Sequence, residues 1–129
     1  MQIFHGRADG ATSEQRNATF TGDVWADPIM PTTNGVTINN VFFPPDCRTD
    51  WHTHEQGQIL LVTAGRGWVC REGEAARPLR AGDTVWIPAD ENHWHGATVD
   101  SYMLHTAISL GKTTWGDRVT PTQFGEATE

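Results

Sequence analysis

Three histidines and a glutamine are spaced as metal ligands are: His52 and His54 two apart, Gln58 four residues on, and His93 on a distant segment that continues Trp94-His95. Side chains two apart on a β-strand point the same way, so His-x-His offers two imidazoles to one ion. Gln58 opens the apolar run Ile59-Leu60-Leu61-Val62. His93 comes from far along the chain, so such a site forms only on folding. The pattern predicts a metal held inside a β-barrel. Three imidazoles and one amide oxygen with open positions suit Mn or Fe, whereas structural zinc prefers four closed ligands rich in Cys.

The elements that must position these residues read as β. Asn34-Gly35 signals a tight turn before the strand 36–43, which Pro44-Pro45-Asp46 stops. Further apolar runs cover 51–54, 58–63, 67–71, 84–87, 93–97 and 102–110. Ala64-Gly65-Arg66-Gly67, Glu72-Gly73-Glu74, Arg80-Ala81-Gly82-Asp83 and Pro88-Ala89-Asp90 separate them as turns. Short strands at this spacing predict a sandwich or barrel. Helical periodicity is confined to the tail. There Thr120-Pro121-Thr122-Gln123 reads as an N-cap, a first-position proline and a capping-box glutamine, starting a helix of two turns at most. Residues 1–20 read as a loosely ordered polar arm.

Composition narrows the function. A chain of 129 residues fits one domain, 1–129, able to bury roughly two-thirds of its unfolded surface. The net charge of −7 argues against nucleic acid and anionic membrane as partners. No apolar run approaches the ~18 residues of a membrane helix, and the opening residues are too polar for a signal peptide. Cys47 and Cys70 are expected as free thiols in a reducing compartment, and a cytoplasmic location is the default expectation. Trp51, Trp68, Trp86 and Trp94 fall in predicted strands, where core or interface packing explains them. Asp23, Asp27, Glu72 and Glu74 read as solvated charges, and His5 carries no assigned role.

Asp46, His52, His54, Gln58 and Gly65 keep every spacing of the first cupin motif, G-x5-H-x-H-x3,4-E-x6-G. Gly82, Pro88, Asp90, His93 and Ala97 do the same for the second, G-x5-P-x-G-x2-H-x3-N. The chain therefore resembles the small single-domain cupins, with a barrel core over about 36–110. The resemblance implies an all-β jelly-roll barrel, here with a short C-terminal helix. Four positions depart from the pattern. Asp46 and Asp90 stand for glycines at turns, where Asp tolerates unusual backbone angles. Ala97 replaces an Asn. Gln58 replaces a Glu, so the shell is neutral and a bound divalent ion keeps its full charge. Such an ion favours an anionic ligand and lowers the pKa of a bound hydroxyl.

Trp51-His52-Thr53-His54, the run 57–65, Val85-Trp86-Ile87-Pro88 and His93-Trp94-His95-Gly96-Ala97 resemble more narrowly the bacterial cupins that include manganese-dependent hydroxynitrile lyases. That resemblance implies His52, His54, Gln58 and His93 as ligands, and cleavage of cyanohydrins such as mandelonitrile to aldehyde and cyanide. It also implies Thr49, His95 and His105 as catalytic pocket residues, with Asn39, Val41 and Ser109 shaping the cavity. Strand parity agrees in part, since His95 shares its face with His93, and His105 shares one with Ala107 and Ser109. A histidine near neutrality can accept a hydroxyl proton, so His105 or His95 is the expected base.

Two other classes remain open at this point. One is an Fe or Mn dioxygenase acting on a small chelating substrate, from which Gln58 in place of Glu leans away. The other is a ligand-binding cupin without turnover, against which the three intact histidines speak. A small-molecule substrate is expected in each case. The resemblance also implies a homo-oligomer, dimer or tetramer, with the N-terminal arm ordering against a neighbour.

Overall fold

The computed structural model describes residues 1–129. Twelve strands run β1 (Glu14–Arg16), β2 (Phe20–Thr21), β3 (Val24–Thr33), β4 (Val36–Phe43), β5 (Arg48–Thr49), β6 (His52–His54), β7 (Gln58–Arg71), β8 (Arg77–Arg80), β9 (Thr84–Ile87), β10 (His93–Ala97), β11 (Met103–Leu110) and β12 (Thr113–Trp115), before the helix α1 (Pro121–Ala127). All pairings are antiparallel, along the path β1-β3-β4-β11-β7-β10-β5-β2, with β6, β8, β9 and β12 paired alongside. The result is an all-β, nearly closed jelly-roll barrel with one short terminal helix, as the cupin resemblance implied; the turn spacing alone pointed to a sandwich or barrel.

The long strand β7 joins the two halves. Its first part pairs with β9 and β11 and its second with β8 and β10. The turn expected at 64–67 is therefore a bend within one strand. Gly65 has φ 78, and the register against β11 shifts beside it. A bulge of this kind turns a strand from one sheet into the next. Three other turn readings hold. Asn34 and Gly35 both have positive φ, as the mirror-image hairpin turn requires, and Asp46 and Asp90 sit at φ 65 and 59.

The barrel begins earlier and ends later than 36–110. β3 escapes the apolar-run reading because Pro28 and Pro31 interrupt it. It tolerates them since β1 covers only its first residues, and its register with β4 slips beside both prolines. Residues 14–16 and 20–21 pair with β3 and β5 of their own chain, so this part of the polar arm is ordered without a neighbour.

Two cores form on opposite faces of β10. The larger joins Phe20, Val24, Val41, Phe43, Leu60, Val62, Ile87 and Met103 inside the barrel. The smaller packs Trp94, Cys70, Val119 and Phe124 beneath α1, with the Trp94 and Phe124 ring centroids 5.4 Å apart. Burying two such rings stabilises by about 1.5–3 kcal/mol each. The capping box is present: Thr120 Oγ1 accepts from the Gln123 amide at 3.1 Å, and Gln123 Oε1 accepts from the Thr120 amide at 2.9 Å. Arg48 closes the layer, lying 4.7 Å from the Phe124 centroid and donating to the Val119 carbonyl. Cys47 and Cys70 are buried and unpaired. Trp86, read as core or interface packing, is 58 % exposed on the outer face and so is not a core residue. No helix is long and apolar enough to cross a membrane.

A Cβ at Gly65 would collide with the Tyr102 carbonyl in a left-handed backbone conformation. Gly65→Ala is expected to lower unfolding free energy by at least ~2 kcal/mol in urea titration.

Candidate metal centre and cavity

The imidazoles meet because β6 and β10 pair with His93 directly opposite His52. Strand parity then brings His54 and His95 to the same interior, while Trp94 turns outward into the second core. The His52 and His93 ring centroids lie 4.2 Å apart, His52 and His54 5.0 Å, and His54 and His93 5.4 Å. Gln58, first residue of β7, reaches His93 with Oε1 3.3 Å from Nε2. The four residues expected as ligands therefore gather at one place. The tightest three-histidine set is His52, His93 and His95, whose ligand atoms lie within 4.8 Å of one another.

Hydrogen bonds orient the rings. His52 Nδ1 contacts the Asp50 carbonyl at 2.8 Å, and His93 Nδ1 contacts the Glu91 carbonyl at 2.9 Å. A carbonyl only accepts, so both Nδ1 atoms carry the proton and both Nε2 atoms present lone pairs. His54 Nδ1 meets Thr113 Oγ1 at 3.0 Å, and its Nε2 is buried without a partner. Gln58 Nε2 donates to Ser109 Oγ at 3.1 Å, which aims Oε1 at His93. The close His93 Nε2 and Gln58 Oε1 pair thus sets two acceptors face to face. A cation between them relieves that conflict, so the donor set fits a divalent metal. Outer contacts of this kind commonly fix metal-binding imidazoles.

Electrostatics agree. Burial, then the neighbouring His93, lowers the His54 pKa to about 4. Burial takes His93 to about 4 as well, and pushes His52 and His95 well below the ordinary value, reinforced by repulsion from nearby imidazoles. All are neutral at pH 7, the form that ligates metals.

A cavity of about 220 Å³ opens beside the cluster. His52, His54, Gln58, His95, Thr49, Asn39, Val41 and Ser109 all line it. Thr49 Oγ1 accepts from the His95 amide at 3.2 Å, which ties β5 to β10. His105 differs from its expected place. It is fully buried behind His95, with Nε2 3.0 Å from His95 Nδ1, and contacts the Phe43 ring. It meets the cavity only through His95. Sequence reasoning missed Arg16, Phe20, Ala26, Thr37, Thr113 and Trp115, which also line the space. Trp115 packs against His52 with centroids 4.5 Å apart. The parity of Thr37 with Asn39 on β4 could have revealed that residue; Arg16, Phe20, Thr113 and Trp115 lie on short strands with no motif, and Ala26 on the proline-interrupted β3.

Such an antiparallel barrel with a histidine cluster at its interior defines the cupin class. The cupin-domain family model matches residues 40–108, and the chain belongs to that family. It is 43 % identical over 111 residues to an (R)-mandelonitrile lyase from Granulicella tundricola, covering 81 % of this chain and 85 % of the relative. A cupin-like protein from Thermotoga maritima superposes with a TM-score of 0.87 at 35 % identity, covering 100 % of this chain and 98 % of its own. A polyketide cyclase from Streptomyces resistomycificus shares the fold at TM-score 0.74 and 14 % identity, over 96 % and 91 % of the two chains.

The depressed histidine values have a signed consequence. Their folded pKa lies below the unfolded ~6.5, so their contribution to stability is present above pH 6.5 and lost as pH falls towards 4. Chelated protein is expected to melt at progressively lower temperature across that window by circular dichroism. A flat profile would count against neutral buried imidazoles.

Proposed function

We propose that this cupin is a metal-dependent lyase that cleaves or forms cyanohydrins. The observation that carries the reading is a neutral, cavity-facing His95 set beside a neutral ligand cluster and backed by a second histidine. The relative named (R)-mandelonitrile lyase supports it.

His52, His54, Gln58 and His93 would hold the ion, Mn first and Fe next. His52 and His93 point unprotonated Nε2 atoms inward, and Gln58 adds an amide oxygen without charge. When bound, a divalent ion supplies Lewis acidity that makes a substrate hydroxyl easier to deprotonate.

The chain's own residues then handle the proton. His95 Nε2 has no protein partner. With Nδ1–H donating to His105 Nε2, that Nε2 is a base able to accept the hydroxyl proton. The C–C bond breaks with its electron pair leaving on cyanide, while the oxygen becomes the aldehyde carbonyl. His95 returns its proton to cyanide, so the products are aldehyde and hydrogen cyanide. His105 orients the imidazole and shares the transient charge through the same hydrogen bond. Thr49 holds the backbone of His95, and Val41, Asn39 and Ser109 set the shape around the substrate.

Cyanide release from mandelonitrile by Mn-loaded protein is the direct test. His95→Phe is expected to slow release by about 100-fold or more, and Gln58→Ala to reduce both metal content and rate. Background rates from the unmodified protein would remove the lyase reading.

Self-association belongs to the same proposal. Ile38, Ile108, Ile59 and Trp86 align across β4, β11, β7 and β9 on the outer face. Such an apolar row on an exposed sheet face suits a homo-oligomer. Light scattering is expected to give at least a dimer, and Trp86→Glu to shift it towards monomer.

A further inference from the structure

Arg16 is the one formally charged side chain lining the cavity. It stands on β1 opposite Val24, which is fully buried inside the barrel. Residues directly opposite in an antiparallel pair point to the same side, so the Arg16 stem also faces inward, at the edge of the sheet. Phe20 and Trp115, whose centroids are 5.7 Å apart, line the same cavity. The charged group therefore stands at the sheet edge of a cavity that neutral imidazoles also line.

Its hydrogen bonding is incomplete. Arg16 Nη2 donates to Glu14 Oε2 at 2.7 Å in a pair that is 42 % and 52 % exposed. Arg16 Nε is buried and has no acceptor. A buried donor without an acceptor is destabilising, whereas an exposed ion pair contributes little. The guanidinium is thus free to exchange Glu14 for, or share it with, an acceptor in the cavity.

We infer that Arg16 binds a carboxylate on the substrate, at the end remote from the reacting hydroxyl. One fixed positive charge matches a monoanion, and the planar guanidinium matches the two oxygens of a carboxylate. A cyanohydrin without an acid group leaves this donor unused. The cavity of about 220 Å³ is below the usual ~300 Å³ floor for drug-sized ligands, so the partner is a small hydroxy- or oxo-acid. Which reaction occurs at the other end rests on the lyase reading; the carboxylate subsite itself does not.

The two are separated by paired measurements on full-length, metal-loaded protein. In calorimetry, 3-(hydroxymethyl)benzoate is expected to bind at least 10-fold tighter than benzyl alcohol. Arg16→Gln should erase that preference, Arg16→Lys should keep part of it, and Glu14→Gln, which releases the guanidinium, should increase it. In turnover, the kcat/KM ratio of 3-carboxymandelonitrile to mandelonitrile should fall at least 10-fold in Arg16→Gln. Carboxylate affinity that ignores residue 16, or no preference for the acid at all, overturns the subsite. Absence of cyanide release with the affinity pattern intact removes the lyase reading and leaves the subsite standing.

Discussion

The site depends on one register, the pairing that sets His93 of β10 against His52 of β6. A slip of one residue would reverse every side chain of β10. His93 and His95 would face outward and Trp94 would fill the cavity. The outer face resists that slip. Trp94 is fully buried against Phe124 and Cys70, and Arg48 ties the layer to the Val119 carbonyl. The terminal helix, remote from the chemistry in sequence, therefore helps hold the imidazoles in phase.

The same burial sets the chemistry. Burial keeps five histidines neutral, which leaves their lone pairs unprotonated at pH 7. Division of labour comes from what each Nδ1 touches. Where it meets a backbone carbonyl, as in His52 and His93, the ring is fixed in one tautomer, Nε2 unprotonated, as a ligand needs. Where it meets another imidazole, as in His95, an Nδ1–H donated to His105 Nε2 leaves the His95 Nε2 lone pair turned to the cavity. Gln58 keeps the shell free of negative charge and is itself aimed by Ser109.

Much of this was legible along the chain. The His-x-His spacing, Gln58 and His93 marked the cluster, and Thr120 with Gln123 marked the helix start. Asp46 and Asp90 stood where the backbone turns left-handed. The failures have physical causes. β3 carries prolines that its exposed stretch tolerates, so its pattern does not look like a strand. Gly65 and Gly67 read as a turn, although a glycine bulge lets one strand serve both sheets. His105 has the parity of a cavity residue, yet the His95 ring stands between it and the open space.

Local rules settle what is local. Alternation along a strand, turn geometry at Asn34-Gly35 and capping at Thr120 follow from residue type within a few positions, and those features were fixed by the sequence itself. The company each side chain keeps across the barrel was not. Arg16 and Trp115 come from opposite ends of the chain to line one cavity, and His95 and His105 come from strands that do not pair with each other. Such neighbours are chosen by how the sheet closes and in what register, a property of all the pairings together. Only the tertiary structure decides it.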